Sequence, residues 1–404
     1  MRFPVGRWAA IAAWALVVVI VGVTVSYGNK PDKLYKTFHS AGVHFKNSEM
    51  LFGPIPVDED LYRYSPTVAA SMVPWTWIPM KVGALLWRAL QAAFLFLAIR
   101  AWAKVAVPEV PWPLLALLAL PFVIGNIQNG QINPLLAAFM LATGVLFYHE
   151  RFWLAAVMIA IAALVKVYPL SLGLLLCVVE PRRFTPRLIV VLVIGCLVPF
   201  AVQSPEYVSQ QWREWAATTR ADDRTYQPMA RGYHDFQRLL LRWGIDIPIL
   251  AYRGIQVAAG GGFAALIAWG RWSGVDRPTL IHGCVSLGFI WCTLFGPSTE
   301  SATYMLLAPI AAHAFLAVTR FQSSRHTPCA DIPMRRPPLE LIWVCGAFFL
   351  LLSMNVMQWF PVHEAYRAAI IPQAHAALLF LIWVVWRFNP ARRAVGIATS
   401  EPRP

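Results

Sequence analysis

The stretch from residue 8 to residue 26 is WAAIAAWALVVVIVGVTVS, which has no charged side chain. A helix of about twenty such residues is long enough to cross the hydrocarbon core of a bilayer. Arg2 and Arg7 precede the stretch, as in a secretory signal peptide, but it is long and has no convincing small-residue cleavage site. The sequence therefore predicts a retained signal anchor, with lipid as the surrounding solvent.

Comparable apolar runs recur along the 404 residues, of which 58% are apolar and only 13% charged. A chain this apolar cannot be buried in one water-soluble core, so we predict an all-α, polytopic transmembrane bundle of about twelve segments. Lys166, Tyr168 and Pro169 interrupt the apolar stretch 152–180, which we count as two short helices. The other predicted spans are 81–102, 110–126, 133–148, 187–203, 248–269, 278–296, 302–319, 339–358 and 367–387.

The net charge of +14 does not indicate nucleic acid as a partner, because no soluble basic domain accompanies it. Lys and Arg instead collect in alternate loops, as expected for cytoplasmic loops of a plasma membrane protein. This pattern predicts that both termini are cytoplasmic. We expect one membrane-embedded domain over residues 1–390 and a disordered cytoplasmic tail over 391–404. The six cysteines predict neither a disulfide framework nor a metal site.

Two long loops, 27–66 and 204–247, are predicted outside the cytoplasm, and loops of this length are commonly functional. The first contains DEDLYRYSP at 58–66, in which Asp58 and Asp60 precede Arg63 and Tyr64. A carboxylate beside an apolar wall can have a raised pKa and serve as a general base. The alternative is a solvated acidic turn, and Asp32 is a further candidate base.

The short turn NIQNGQINP at 126–134 lies between two predicted spans. The amides of Asn129, Gln131 and Asn133 are suited to binding sugar hydroxyls, because they donate and accept hydrogen bonds without carrying charge. They are equally suited to capping the two helices, with Asn133 and Pro134 as an N-cap and first-turn pair.

Lys166 lies deep in an apolar stretch, where a charge is costly and commonly functional. Tyr168 and Pro169 mark a break at which the backbone can open onto a cavity. A cation there suits the phosphate of a lipid-linked donor, which we favour over snorkelling to a nearby helix end.

The second long loop contains Asp222, Asp223 and Arg224 in succession. These charges predict either a site for a diphosphate or sugar, or surface ion pairs. Glu300 lies in the turn GPSTESATY at 296–304. It is either a functional group or the partner of an outer arginine.

Several of these segments occur together in one recognisable order. They are AGVHF at 41–45, RYSP at 63–66, NGQINPLLAA at 129–138, ALVKVYPLSLGLLL at 163–176 and GPSTESATYMLLAP at 296–309. In this order they resemble the integral membrane glycosyltransferases of family 87, whose members include polyprenyl-phosphate-mannose-dependent mannosyltransferases. The resemblance implies a GT-C type fold and an inverting transfer from a lipid-phosphate sugar to an acceptor outside the cytoplasm.

The resemblance also implies an acidic base in the first outer loop. Counting back from Ala41 puts Leu34 where the acid is expected, with Asp32 two positions away. The candidate bases therefore remain Asp32, Asp58 and Asp60, with Asp222 or Asp223 as further alternatives.

The function predicted from these features is that of a metal-independent hexosyltransferase without a cofactor, using a polyprenyl-phosphate sugar as co-substrate. Its partners would be the lipid-linked donor, a glycolipid or glycan acceptor, and membrane lipids. The rival hypothesis is a transporter or flippase that uses Lys166 and Arg253. Transporters often contain two similar halves, and this sequence shows none.

Overall fold

The computed structural model describes residues 6–27, 33–52, 60–106, 110–221, 224, 226–227, 232–297, 299–323, 338–357, 360, 365–366 and 370–388. Regular structure within these ranges is helical throughout. In chain order the α-helices are α1 (Arg7–Tyr27), α2 (Lys33–Lys46), α3 (Pro66–Met72), α4 (Met80–Ala106), α5 (Trp112–Gln128), α6 (Asn133–Tyr148), α7 (Phe152–Val165), α8 (Leu170–Val179), α9 (Pro181–Leu197), α10 (Pro205–Ala221), α11 (Phe236–Arg242), α12 (Ile249–Trp272), α13 (Arg277–Leu294), α14 (Ala308–Ser323), α15 (Pro338–Met357) and α16 (Pro372–Phe388). Short 3-10 helices cover Val73–Trp77, Val198–Ala201 and Ser301–Leu307.

The predicted spans coincide with helices, so the all-α membrane bundle is confirmed. Within the described residues, six segments are long and apolar enough to cross a bilayer: α1, α4, α9, α12, α14 with its preceding 3-10 turn, and α15. The chain is therefore a multi-pass membrane protein. The number of crossings and the orientation of the termini remain predictions.

The centre of the bundle is formed by α6 and α13, which pack against each other, and α6 also packs against α4 and α7. Gly144 in α6 permits this close approach. A Cβ at that position would lie 2.8 Å from both the Trp102 ring and the Val285 side chain. A larger residue would force α6 away from α4 and α13.

The two long loops differ from expectation, because each folds into helices. The first forms α2, and the second forms α10 and α11. The segment 65–80, between the first loop and α4, forms α3 and a 3-10 turn. We call the end of the bundle that carries these segments the loop end.

The helices of the two loops hold each other in place. The Tyr207 hydroxyl in α10 donates to the Glu49 carbonyl oxygen at 2.6 Å. The Gln211 side-chain oxygen accepts from the Leu51 amide at 3.1 Å, and Gln211 is fully buried. Because α10 lies against the first loop, segments distant in sequence meet above the bundle.

Candidate functional site

A cleft with a cavity volume of about 110 Å³ opens at the loop end. Its walls come from α2, the extended segment 60–64, the turn after α5, the break between α7 and α8, and α10, with Arg224 and Glu300 closing one side. These parts are distant from one another in sequence, and together they supply the polar side chains of the cleft.

Lys166 lies in the wall of this cleft because α7 ends just before it. Its backbone is extended, with φ −142° and ψ 135°, and α8 resumes at Leu170. The predicted break is thus confirmed. The ammonium donates to Asn133 Oδ1 at 3.2 Å and lies 5.6 Å from the centre of the Tyr168 ring. An ammonium has three N–H groups, and Asn133 takes one of them.

The turn 126–134 contacts Lys166 through the Asn133 side chain, which does not cap a helix. The prediction of Asn133 as an N-cap is wrong: Ile132 occupies the N-cap, and no side chain caps α6. The Asn133 amide instead donates to Asn126 Oδ1 at 3.0 Å and accepts from Lys166, so both of its polar atoms are engaged. Gln131 lines the cleft, whereas Asn129 is exposed at the C-cap of α5 and does not line it.

The segment before α3 brings Asp60, Arg63 and Tyr64 to the mouth of the cleft. The Asp60 carboxylate is 49% exposed and lies 3.8 Å from the Arg63 guanidinium. The indole N–H of Trp215 in α10 donates to the Arg63 carbonyl oxygen at 3.2 Å, which fixes this segment against α10. Tyr64 is buried and forms part of the cleft wall.

Glu300 and Arg224 form an ion pair, with 2.8 Å between Oε1 and Nη2. Glu300 therefore has an arginine partner, and that partner lies inside the cleft. Burial alone raises the pKa of Glu300, but the positive charges of Lys166 and Arg224 outweigh burial and hold that pKa below its usual value. The carboxylate is therefore ionised at neutral pH.

Sequence reasoning did not predict that helices α10 and α2 form walls of the cleft. Trp215, Thr218 and Thr219 line the cleft and follow Gln211 at helical spacing, so they share one face of α10. That amphipathic periodicity was the available signal. Leu34 of α2, the position at which the resemblance implies an acid, also lines the cleft.

The structure thus brings most of the predicted site residues together. Those lining the cleft are Asp60, Arg63, Tyr64, Gln131, Lys166, Tyr168, Arg224 and Glu300. Four others, Asp32, Asp58, Asp222 and Asp223, lie outside the described residues. Among the residues that the structure does describe, no three His, Cys, Asp or Glu side chains come together as a metal-binding group.

Comparison with known proteins gives one family. The profile of glycosyltransferase family 87 matches residues 62–297, more than half of the chain. A search of curated proteins finds no match. Among solved structures, ArnT from Cupriavidus metallidurans bound to undecaprenyl phosphate aligns with a TM-score of 0.41 and 13% identity, covering 97% of this chain and 79% of ArnT.

Proposed function

This chain belongs to glycosyltransferase family 87, and we propose that it transfers a mannose-like hexose from a polyprenyl-phosphate donor to a glycolipid or glycan acceptor. The reaction inverts the anomeric centre and uses no metal ion or cofactor. It takes place in the cleft, and the loop end faces the extracytoplasmic side of the plasma membrane. In this orientation both termini are cytoplasmic.

The observation that carries this proposal is the Lys166 ammonium in the cleft wall. Asn133 takes one of its three N–H groups, and the phosphate of the donor accepts from the others. Arg63 and Arg224 line the same cleft. Charge-assisted hydrogen bonds from such cations stabilise the negative charge that grows on the phosphate as it leaves.

Asp60 is the base in this proposal, because it is the described acid of the cleft that is not held at hydrogen-bonding distance by a cation. Its carboxylate takes the proton of the acceptor hydroxyl, whose oxygen forms a bond to the anomeric carbon. The bond from that carbon to the phosphate oxygen breaks, and the electron pair leaves with the polyprenyl phosphate. Attack from the face opposite the leaving group inverts the configuration.

The prenyl chain leaves the cleft past Val167, which both lines the cleft and is 45% exposed. Leu174, on the following helix α8, is 58% exposed. Helix α8 packs against α7, α9, α12 and α13. In this proposal an apolar chain lies along the exposed face of α8, beside Leu174, with its phosphate at Lys166.

The test uses the purified full-length protein with radiolabelled polyprenyl-phosphate mannose and a membrane extract as acceptor. Transfer is expected for the wild type, and Lys166→Ala should reduce it by about 100-fold, because a charged hydrogen-bond donor to the phosphate is lost. Lys81→Ala is the matched control, since Lys81 is exposed at the start of α4 and lies outside the cleft.

Equal loss of transfer in both variants, or no transfer from any polyprenyl-phosphate hexose, would contradict the proposal. Movement of a solute without transfer would favour the transporter hypothesis. Arg253, which that hypothesis needs, is exposed on α12 and does not line the cleft.

A further inference from the structure

Glu300 is a carboxylate inside a cleft proposed to bind phosphate. Its Oε1 lies 2.8 Å from Arg224 Nη2, and their side chains are only 34% and 18% exposed. The charges of Lys166 and Arg63 also act on it. Glu300 therefore lies among the cations that a phosphate would use.

The backbone around Glu300 is fixed on both sides. Its amide donates to Thr303 Oγ1 at 3.3 Å. On one side the Thr299 carbonyl oxygen accepts from the His234 amide at 2.8 Å. On the other side Ser301 bonds to Gln373 of α16, through its hydroxyl at 3.0 Å and its carbonyl oxygen at 3.2 Å. These hydrogen bonds on both sides of Glu300 thus fix the position of its backbone at the cleft.

Arg224 is also fixed by contacts other than Glu300, because its guanidinium lies 4.6 Å from the centre of the Tyr233 ring. A phosphate that reaches Lys166 must therefore share Arg224 with a carboxylate already bound to it. Two anions around the same cations repel each other, and the repulsion is strong where the groups are shielded from water.

We infer that Glu300 is a positioning residue that pairs with the cations of the phosphate site while the cleft is empty. It also limits the affinity of the cleft for a phosphate monoester. This inference rests on the proposed function and concerns the turnover of the same site. Three cations without an internal anion would hold the spent lipid phosphate tightly, and product release sets the rate of many enzymes. Glu300 keeps Arg224 in place before the donor arrives and favours release of the polyprenyl phosphate afterwards.

The experiment measures dissociation constants of undecaprenyl phosphate, inorganic phosphate and undecaprenol for the full-length protein in lipid nanodiscs. Glu300→Gln keeps the shape of the side chain and removes its charge. It should tighten undecaprenyl phosphate binding by about tenfold, as expected from removing one nearby charge. Undecaprenol binding should not change. If Glu300→Gln also tightens the binding of inorganic phosphate, the effect is due to the phosphate group alone. If it tightens only the binding of undecaprenyl phosphate, the effect requires a phosphate that is held in place by its prenyl chain.

In turnover assays Glu300→Gln should lower both KM for the donor and kcat, with stronger inhibition by added undecaprenyl phosphate. Glu49→Gln is the matched control, because Glu49 pairs with His44 at 3.8 Å on the surface and does not line the cleft. A purely structural role for Glu300 predicts weaker binding, the opposite sign. Unchanged or weaker phosphate binding in Glu300→Gln overturns the inference.

A second variant keeps the test decisive if Glu300→Gln alone does not fold. Arg224→Gln leaves the carboxylate without its close cation and should weaken phosphate binding, and adding Glu300→Gln should restore it towards the wild-type value. No restoration in the double variant overturns the inference. Failure of the proposed function is distinguishable: transfer would then be absent in every variant while the phosphate affinities still shifted.

Discussion

The Asn133→Asp variant tests whether the neutrality of the group behind Lys166 matters. In the native site Asn133 is 1% exposed and accepts from the Lys166 ammonium at 3.2 Å. The substitution keeps the size of the side chain and the accepting oxygen but adds a full negative charge. Rotation of the Asn126 amide lets it donate to the new carboxylate, so the hydrogen bonds are retained.

The expected effect is loss of donor affinity without loss of folding. A hydrogen bond to a charged group contributes about 1.5–3 kcal/mol. If Lys166 is engaged by a carboxylate instead of the donor phosphate, kcat/KM should fall by about 10- to 100-fold, since 1.4 kcal/mol is about a factor of ten. The loss should appear chiefly in KM for the donor. The thermal midpoint should stay near that of the wild type.

The assay is donor-dependent transfer at fixed acceptor, together with thermal unfolding in detergent. Asn129→Asp is the matched control, because Asn129 lies in the same turn but is exposed and does not line the cleft. A wild-type KM for the donor in Asn133→Asp would refute the role given to Lys166. An equal loss in Asn129→Asp would attribute the effect to charge in the turn rather than to Lys166.

Three further predictions concern the base, the pH dependence and the packing. Asp60→Asn should reduce transfer to below about 1% while undecaprenyl phosphate still binds, and higher residual transfer would assign the base elsewhere. Burial raises the pKa of Asp235 to about 7, against 3.8 in the unfolded chain. The native protein therefore keeps a proton that the unfolded chain loses, and stability falls as the pH rises from about 4 to about 7. That difference corresponds to about 4 kcal/mol, so Asp235→Asn should match the wild type below pH 4 and exceed its stability by up to that amount at pH 8. If chemical unfolding shows the same pH dependence of stability for Asp235→Asn and the wild type, this prediction is contradicted. Gly144→Val should lower the free energy of unfolding by about 1–3 kcal/mol, because its Cβ would lie 2.8 Å from the Trp102 ring. Gly254→Val should lower it less, because the space at its Cβ is open.

The spans were predictable from the sequence because lipid requires long apolar helices and leaves few alternatives. Even the break at Lys166 followed from one charge and one proline in an apolar run. The helices of the two long loops were harder to predict, because their apolar faces pack on other parts of the protein rather than on lipid. In α10 the face that includes Gln211 and Trp215 contains amides and hydroxyls as well as apolar groups, which weakens its periodic signal.

Within the site, residue types were easier to predict than their partners. The charge of Lys166 indicated a functional position, but its bond to Asn133 depends on how α6 packs beside the break. The same packing explains why the cap prediction failed, since an amide engaged by Lys166 and Asn126 is not available to the helix end. The pairing of Glu300 with Arg224 joins residues 76 positions apart, and no local pattern encodes it.

The shortness of α7 and α8 has a consequence for the surrounding lipid. With 14 and 10 residues they extend about 21 Å and about 15 Å, whereas the hydrocarbon layer is about 30 Å thick. In the orientation that we propose, Lys166 in the cleft wall therefore lies below the level of the neighbouring lipid headgroups. The phosphate of the proposed prenyl-linked donor then reaches Lys166 without its chain being lifted out of the membrane.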